Sequence, residues 1–287
     1  MRAIGFKKFL VGFAFSPNLK ANVFEAMRMA HAFDGELVFV HVGNKTDKKE
    51  SQFNEIIASC PVQSKKISVH WKLGNPVNTL LEASKEFEVD LILLGALKRE
   101  NVVKFYLGSI ARKITRKAKC SVLLLINPSV ERRPCQHIVV NGFDSPQTQM
   151  TIEVAFVVAN ALGAKKISLV EEISRSKVAV AVDDDRSLRK ATLKKEKLRR
   201  QEQTRVKDVV KRLPSNLTAE INWITQSIFG RRGYSIGHYA RVVRADLLVM
   251  NANENLSFID RLFTRDLEHI LAELPTDVLI VNTTRNE

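Results

Sequence analysis

Three cysteines in 287 residues, Cys60, Cys120 and Cys135, are too few and too scattered for a disulfide framework. No C-x-x-C pair occurs and the six histidines are dispersed, so a reducing compartment and no structural metal are expected. Long apolar runs are missing too. No stretch approaches the roughly 20 apolar residues of a membrane span. Lys7-Lys8 before Phe9–Phe15 resembles the start of a leader, but the run is short and lacks a small-residue cleavage site. A buried first strand is expected there. No G-K-[ST] closes a glycine loop and no G-x-G-x-x-G occurs, which excludes the P-loop and Rossmann fingerprints. Acidic residues are scarce: 45 Lys+Arg face 31 Asp+Glu, a net charge of +14. That excess favours anionic partners such as nucleotides, nucleic acid or an acidic membrane surface, and says nothing of fold.

What the chain does contain is a repeat. Phe9-Leu-Val-Gly-Phe-Ala-Phe-Ser-Pro17 returns 129 residues on as Ile138-Val-Val-Asn-Gly-Phe-Asp-Ser-Pro146. Asp90–Gly95 returns as Asp246–Asn251 and Val122–Leu125 as Val278–Val281, both 156 residues on. Two similar domains are expected, at 1–128 and 134–284, joined by a linker at 127–136 that contains Pro128 and Pro134. The change of offset places an insertion in the first half of copy two.

Each copy alternates strand and helix. In copy one the strands are expected at Lys8–Phe15, Glu36–Val42, Lys66–Leu73, Val89–Leu94 and Ser121–Ile126. Helices are expected at Leu19–Phe33, Gln52–Ser59, Pro76–Phe87 and Ser109–Ala118. The fourth and fifth strands are unbroken apolar runs, the mark of a parallel sheet covered on both faces. The fold class is therefore α/β, two tandem doubly wound domains with right-handed crossovers. In copy two the third strand is expected at Ala219–Thr225. The insertion, about 185–216, carries Ser187–Leu213, rich in Lys and Arg and without Gly or Pro, which predicts a long basic helix. Leu188, Leu198, Val206 and Val210 are expected to pack on protein, with the cations in solvent.

In an open parallel sheet, ligands bind beyond the carboxyl ends of the strands. Three segments of copy one meet there: Ala14–Asn18, Val40–Gly43 and Gly95–Ser109. Gly95 ends a buried strand and Gly108-Ser109 opens a helix whose first N–H groups suit a phosphate. Lys98, Arg99 and Lys104 add charge. The same Gly-Ser is equally an ordinary N-cap signal.

These pieces, in their order and twice over, resemble a tandem universal stress protein. Family domains end their fourth strand in D-L-I-V-M-G, continue with G-x2-G-x9-G-[ST], and close with A-x-C-P-V-L-V-V. Asp90–Gly95 and Ala118-Lys-Cys-Ser-Val-Leu-Leu125 match the first and last of these. The resemblance implies five parallel strands per domain in the HUP-type order 3-2-1-4-5. It also implies antiparallel pairing of the two fifth strands, Val122–Ile126 with Val278–Val281, in a pseudo-dimer, and it leaves room for a homodimer. The middle motif departs from the pattern. Copy one keeps Gly95, Gly108 and Ser109, but Lys98 replaces the second glycine, and Ala14 stands at the acidic position that reads adenine and ribose. Carried over, the nucleotide-site residues are Phe13, Ala14, Val42, Gly95, Ala96, Lys98, Gly108, Ser109 and Ile110. In copy two Asn251, Glu254, Thr264 and Arg265 replace the motif, and Phe143 precedes Asp144 at the acidic position.

The resemblance thus implies a non-catalytic cytoplasmic stress-response protein in which copy one alone takes ATP, another anion or nothing, with the need for Mg2+ left open. No Ser–His–Asp or paired-carboxylate arrangement is legible. A nucleotide-hydrolysing enzyme of the same superfamily is one alternative. Another is a basic adaptor docking on nucleic acid, an anionic membrane or an acidic partner through the 187–213 helix. That segment has no aromatics, which favours electrostatic contact. Asp183–Asp185 offers either a cation site or a solvated loop. Gly230–Gly233 lies before a helix near the cleft, and Trp71 and Trp223 are expected in the core.

Overall fold

Short apolar runs alternating with helix-length segments set the architecture. The structure, a computed structural model, describes residues 5–64, 66–95, 97–98, 105–106, 108–178, 183–230, 234–252, 270 and 274–282. By contacts the chain divides into two units, Met1–Pro134 with Leu271–Glu287, and Cys135–Ile270.

In unit 1, β1 (Lys8–Phe13), β2 (Glu36–Val42), β3 (Lys66–Lys72) and β4 (Leu91–Gly95) are joined by α1 (Leu19–Phe33), α2 (Asp47–Ala58) and α3 (Pro76–Glu86). A two-residue antiparallel ladder follows, β5 (Leu97–Lys98) with β6 (Phe105–Tyr106), then α4 (Ser109–Lys117) and β7 (Ser121–Leu125). The five parallel strands stand in the order β7-β4-β1-β2-β3, which is 3-2-1-4-5 in strand rank. The helix ends follow local chemistry. α1 stops at Asp34, which takes the left-handed conformation at φ 52°. Gly35 serves another need: a Cβ there would lie 2.4 Å from the Phe9 ring. α2 begins five residues before the expected Gln52, because the Thr46 side chain accepts from Lys49 N–H and Asp47 and Glu50 fill its first turn. That polar turn has no apolar period to reveal it.

Unit 2 repeats the pattern with β8 (His137–Asn141), α5 (Thr148–Leu162) and β9 (Lys166–Ser174), then α6 (Arg175–Val178), α7 (Asp185–Lys211) and α8 (Ser215–Thr218). β10 (Asn222–Gly230), α9 (Tyr234–Val242) and β11 (Leu247–Asn251) complete it, in the order β10-β9-β8-β11. Two expectations need correction. The third strand is Asn222–Gly230 rather than Ala219–Thr225, because Ser215–Thr218 closes a helical turn first and the strand then pairs with β9 over nine residues. The copy-two strand Asp277–Val281, β12, groups with unit 1, so among the described residues the large sheet takes six strands from unit 1 and four from unit 2, not five from each. β12 runs antiparallel to β7, with Val278 opposite Leu124 and Ile280 opposite Val122. Its residues Val278 to Val281 are buried. An apolar edge left open would be a liability, and the ladder covers it.

The repeated aspartates have a structural duty. Asp90 Oδ2 accepts the Lys7 and Lys8 N–H groups at 2.6 and 2.8 Å. Asp246 Oδ2 accepts those of Gln136 and His137 at 2.8 and 2.9 Å. In both copies the residue before the fourth strand ties down the start of the first.

Candidate functional site

The carboxyl ends of β1 and β2 carry aromatic rings rather than the acid of a nucleotide binder. Phe13, the last residue of β1, is buried and stacks on Phe53 of α2 with centroids 4.0 Å apart. His41 of β2 is buried and donates from Nδ1 to the Phe13 carbonyl at 3.0 Å. Trp71 of β3 lies edge-on to His41 at 4.9 Å and parallel to Phe15 at 6.2 Å. Trp71 and Phe15 are half-buried, and Ala14 is exposed. Trp71 therefore belongs to this cluster at the strand ends, not to the deep core. Trp223 on β10 is half-buried as well. Val42 closes β2 opposite Lys72.

Across the switch point, Gly95 ends β4 on an exposed backbone position beside α1. A Cβ on Gly95 would sit 3.0 Å from Asn22 Oδ1. That oxygen is buried and has no hydrogen-bond partner among the described residues. The missing side chain at Gly95 leaves room beside this unsatisfied acceptor. Asn22 is a residue that sequence reasoning missed; among the other polar residues of α1 (Lys20, Glu25, Arg28 and His31) nothing in the sequence marks it.

Gly108 is the N-cap of α4, with φ −60° and ψ 159°, a conformation open to any residue. No side chain caps this helix; Ser109 and Ile110 are exposed, Ile110 by 45%. Lys98 is a strand residue opposite Phe105, so Gly95–Ser109 is not the plain loop expected. Ala96, Arg99, Lys104, Glu254, Thr264 and Arg265 lie outside the described residues, as do Arg231–Gly233. The structure therefore brings Phe13, Val42, Gly95, Gly108, Ser109 and Ile110 to one end of the unit 1 sheet.

In unit 2 the same end is filled by the insertion. A Cβ on Gly142 would lie 3.4 Å from Val206 of α7. Arg205 donates to the Gly142 carbonyl, pairs with Glu202 at 2.9 Å, and lies 3.8 Å from Asp144. Beneath it, Glu171 is 2% exposed; Oε2 accepts from Ser227 at 2.9 Å, and Oε1 has no partner among the described residues. Burial pushes this carboxyl up to about 7, against the opposing pull of Ser227 and Arg205.

α7 divides into two halves. Val206 and Val210 are buried, but Leu188 is 53% exposed and Leu193 63%, so the expected packing of Leu188 is corrected. Leu198 is half-buried. In the amino-terminal half only Ala191 is buried. Asp184 is the N-cap, accepting from Ser187 N–H at 2.7 Å while the Ser187 hydroxyl accepts from the Asp184 N–H. The Asp183–Asp185 run is thereby a helix start, not a cation site. Among the described residues no three of His, Cys, Asp or Glu gather to hold a metal.

The strand order and the alternation of strand and helix define a doubly wound α/β protein. Residues 44–125 match the universal stress protein family. A universal stress protein of Methanocaldococcus jannaschii is 28% identical over 67 residues, 23% of this chain and 39% of that protein. One from Mycobacterium tuberculosis H37Rv is 31% identical over 109 residues, 37% of this chain and 36% of that protein. The matched stretches thus span less than two-fifths of those relatives' own length. Among solved structures, a functionally unknown protein of Pseudomonas aeruginosa PAO1 superposes with a TM-score of 0.66 at 15% identity, over 96% of this chain and 92% of that one. A universal stress protein of Archaeoglobus fulgidus gives 0.62 at 14%, over 96% and 97%. At that identity the likeness is one of fold. The likeness to the universal stress protein family thus lies in residues 44–125, and over the whole chain it is one of fold. Among its described residues, no helix is long and apolar enough to cross a membrane.

Proposed function

We propose that the chain is a non-catalytic cytoplasmic stress-response regulator whose unit 1 cleft, and not the equivalent end of unit 2, takes ATP or another phosphate-bearing anion. The asymmetry at the first strand carries the reading. Unit 1 keeps an exposed Gly95 beside the orphaned Asn22 oxygen and an uncapped α4 amino terminus. In unit 2, Arg205 and Val206 already occupy the end of β8. Gly108 and Ser109, at the open first turn of α4, fit the phosphate of such a ligand, while the Asn22 oxygen, an acceptor, suits a hydroxyl or amine donor. The base end lacks its acid, and any ring there would stack on Phe15 and Trp71 instead of pairing with a carboxylate. His41 is committed to the Phe13 carbonyl, which supports binding over hydrolysis. The β7–β12 ladder supports intramolecular pairing of the two fifth strands.

The test is calorimetric titration with ATP, with and without Mg2+, on the wild type, Gly108→Asp and the copy-two counterpart Thr264→Asp. Aspartate is a favourable N-cap and the backbone at 108 admits it, so the fold is kept while a carboxylate meets the phosphate. Binding lost only in Gly108→Asp is expected. Equal losses, or no wild-type affinity, would refute the reading.

A second reading rests on the outward face of α7. Arg186, Arg189, Lys190, Lys197, Arg200 and Lys211 are exposed along a 27-residue helix, about 40 Å at 1.5 Å per residue. Its buried apolar stripe faces protein, so a nucleic-acid backbone suits it better than a bilayer. Charge reversal at Lys190, Lys197 and Arg200 should abolish retention on heparin and duplex RNA, with a steep salt dependence in the wild type. A flat salt response, or equal binding to acidic vesicles alone, would overturn it.

A further inference from the structure

Unit 2 has a concavity beside α9. A cavity of about 830 Å³ opens at the carboxyl ends of β9 and β10 and runs along α9. That is the size of a site for a small organic ligand, roughly 300–1,000 Å³. Two features of the sequence make it.

The first is a longer ladder. In unit 1 the β2–β3 pairing stops at Val42 and Lys72, and Leu73 beyond it is 73% exposed. In unit 2 the corresponding pair is Glu172 with Ile228, and the ladder runs on through Phe229 and Gly230. This extension raises a wall bearing Phe229, with the Arg199 guanidinium 5.8 Å over its ring. Gly230 lets α9 approach closely, since a Cβ there would collide with Ser235. Glu172 fixes the helix by accepting the Ile236 N–H at 2.8 Å.

The second is a change of surface on α9. Ile236, Gly237 and Ala240 are buried on its inner side. Tyr234, Ser235, His238, Tyr239 and Val242 line the cavity from an arc on the other side. At the repeat offset of 156, Tyr234, His238 and Val242 correspond to Asn78, Glu82 and Glu86 of α3. Those three are exposed, and Glu86 pairs with Lys72 at 2.5 Å. One copy thus presents ordinary solvated residues where the other presents two ring side chains and a valine. Tyr234 is 59% exposed and Val242 65%. The Tyr234 and His238 ring planes are parallel to within 1°. Arg175 and Ser174 stand at the opposite rim.

We propose that this cavity is a binding site for a planar aromatic anion, its ring against Phe229, Tyr239 and the α9 rings and its acid group toward Arg175. The inference is independent of the unit 1 nucleotide reading. Titration of the full chain with 8-anilinonaphthalene-1-sulfonate, followed by fluorescence, tests it. The variant His238→Glu/Val242→Glu restores copy-one residues at exposed positions and should weaken saturable binding tenfold or more with an unchanged circular dichroism spectrum. Arg175→Glu should weaken the sulfonate by a similar factor and leave the neutral parent, N-phenyl-1-naphthylamine, unaffected. Absence of saturable binding, or equal affinity in the double-glutamate variant, would overturn the site. Equal losses of both probes in Arg175→Glu would overturn its anionic character.

Discussion

Replacing Glu171 by glutamine should remove most of the pH dependence of unit 2 stability. The side chain is 2% exposed, and burial raises its folded pKa from 4.5 to about 7. The folded form therefore binds the proton more tightly than the unfolded one. Stability from this site is full below about pH 4.5, falls as pH rises toward 7, and is gone above it. A shift of that size corresponds to about 3 kcal/mol at 1.36 kcal/mol per unit. Glutamine stays neutral, so the variant should match the wild type at pH 5 within about 1 kcal/mol and exceed it at pH 8 by up to about 3 kcal/mol. Three groups face this carboxyl: Ser227 and Arg205 hold its pKa down, and Glu202 pushes it up. His137 has a pKa lowered by burial and by Lys166, so it contributes the opposite slope at acid pH. It is present in both proteins and cancels in the difference. Urea unfolding at pH 5 to 8 in a Trp71→Phe background, so that Trp223 reports unit 2, measures the effect. A wild-type-minus-variant difference that stays constant across that range would refute the reasoning and make Glu171 an ordinary ionised partner of Arg205.

Asp90→Ala removes two short hydrogen bonds to the start of β1 and should cost about 2–3 kcal/mol; Asp246→Ala should cost a similar amount, both read by chemical denaturation. Arg205→Ala strands the Gly142 carbonyl and should lower the stability of unit 2 by about 1–3 kcal/mol without altering ATP titration of unit 1. Ser187→Ala breaks the reciprocal cap of α7 and should cost about 1 kcal/mol, seen as a loss of helical ellipticity on mild heating.

The centre of the sheet was legible because the fourth and fifth strands are unbroken apolar runs and because the repeat shows the first, fourth and fifth twice. Boundaries set by polar chemistry were not. Thr46 starts α2 and Asp184 starts α7 with side-chain caps that leave no periodic trace. The third strand of copy two was misplaced because Leu217, Ile221 and Trp223 suit a strand as well as a helical turn. Glycines at the cleft were readable from spacing, but what they touch was not. The approach of Gly95 to Asn22 joins residues 73 positions apart. The aromatic cluster of Phe13, Phe15, His41 and Trp71 assembles from three strands and the loop after β1, so no local motif announces it.

Compensation at one position explains why the two copies part company. Phe13 lies opposite His41 in the β1–β2 ladder, and one register step beyond Asn141–Val170 puts Gly142 beside Glu171. In copy one the phenylalanine fills the end of the sheet, and a histidine satisfies its carbonyl. Glycine in copy two leaves a gap of side-chain size, which Val206 of the longer helix enters. The glycine carbonyl then needs a donor, and Arg205 supplies it. That guanidinium sits over a buried acid, and Ser227 completes the network. Loss of the motif and growth of the insertion are therefore coupled: a helix as short as α2, carrying its own Phe53, could not close the space that Gly142 opens. With the first-strand end closed, the concavity of unit 2 moves outward, to the lengthened β9–β10 ladder and the aromatic face of α9.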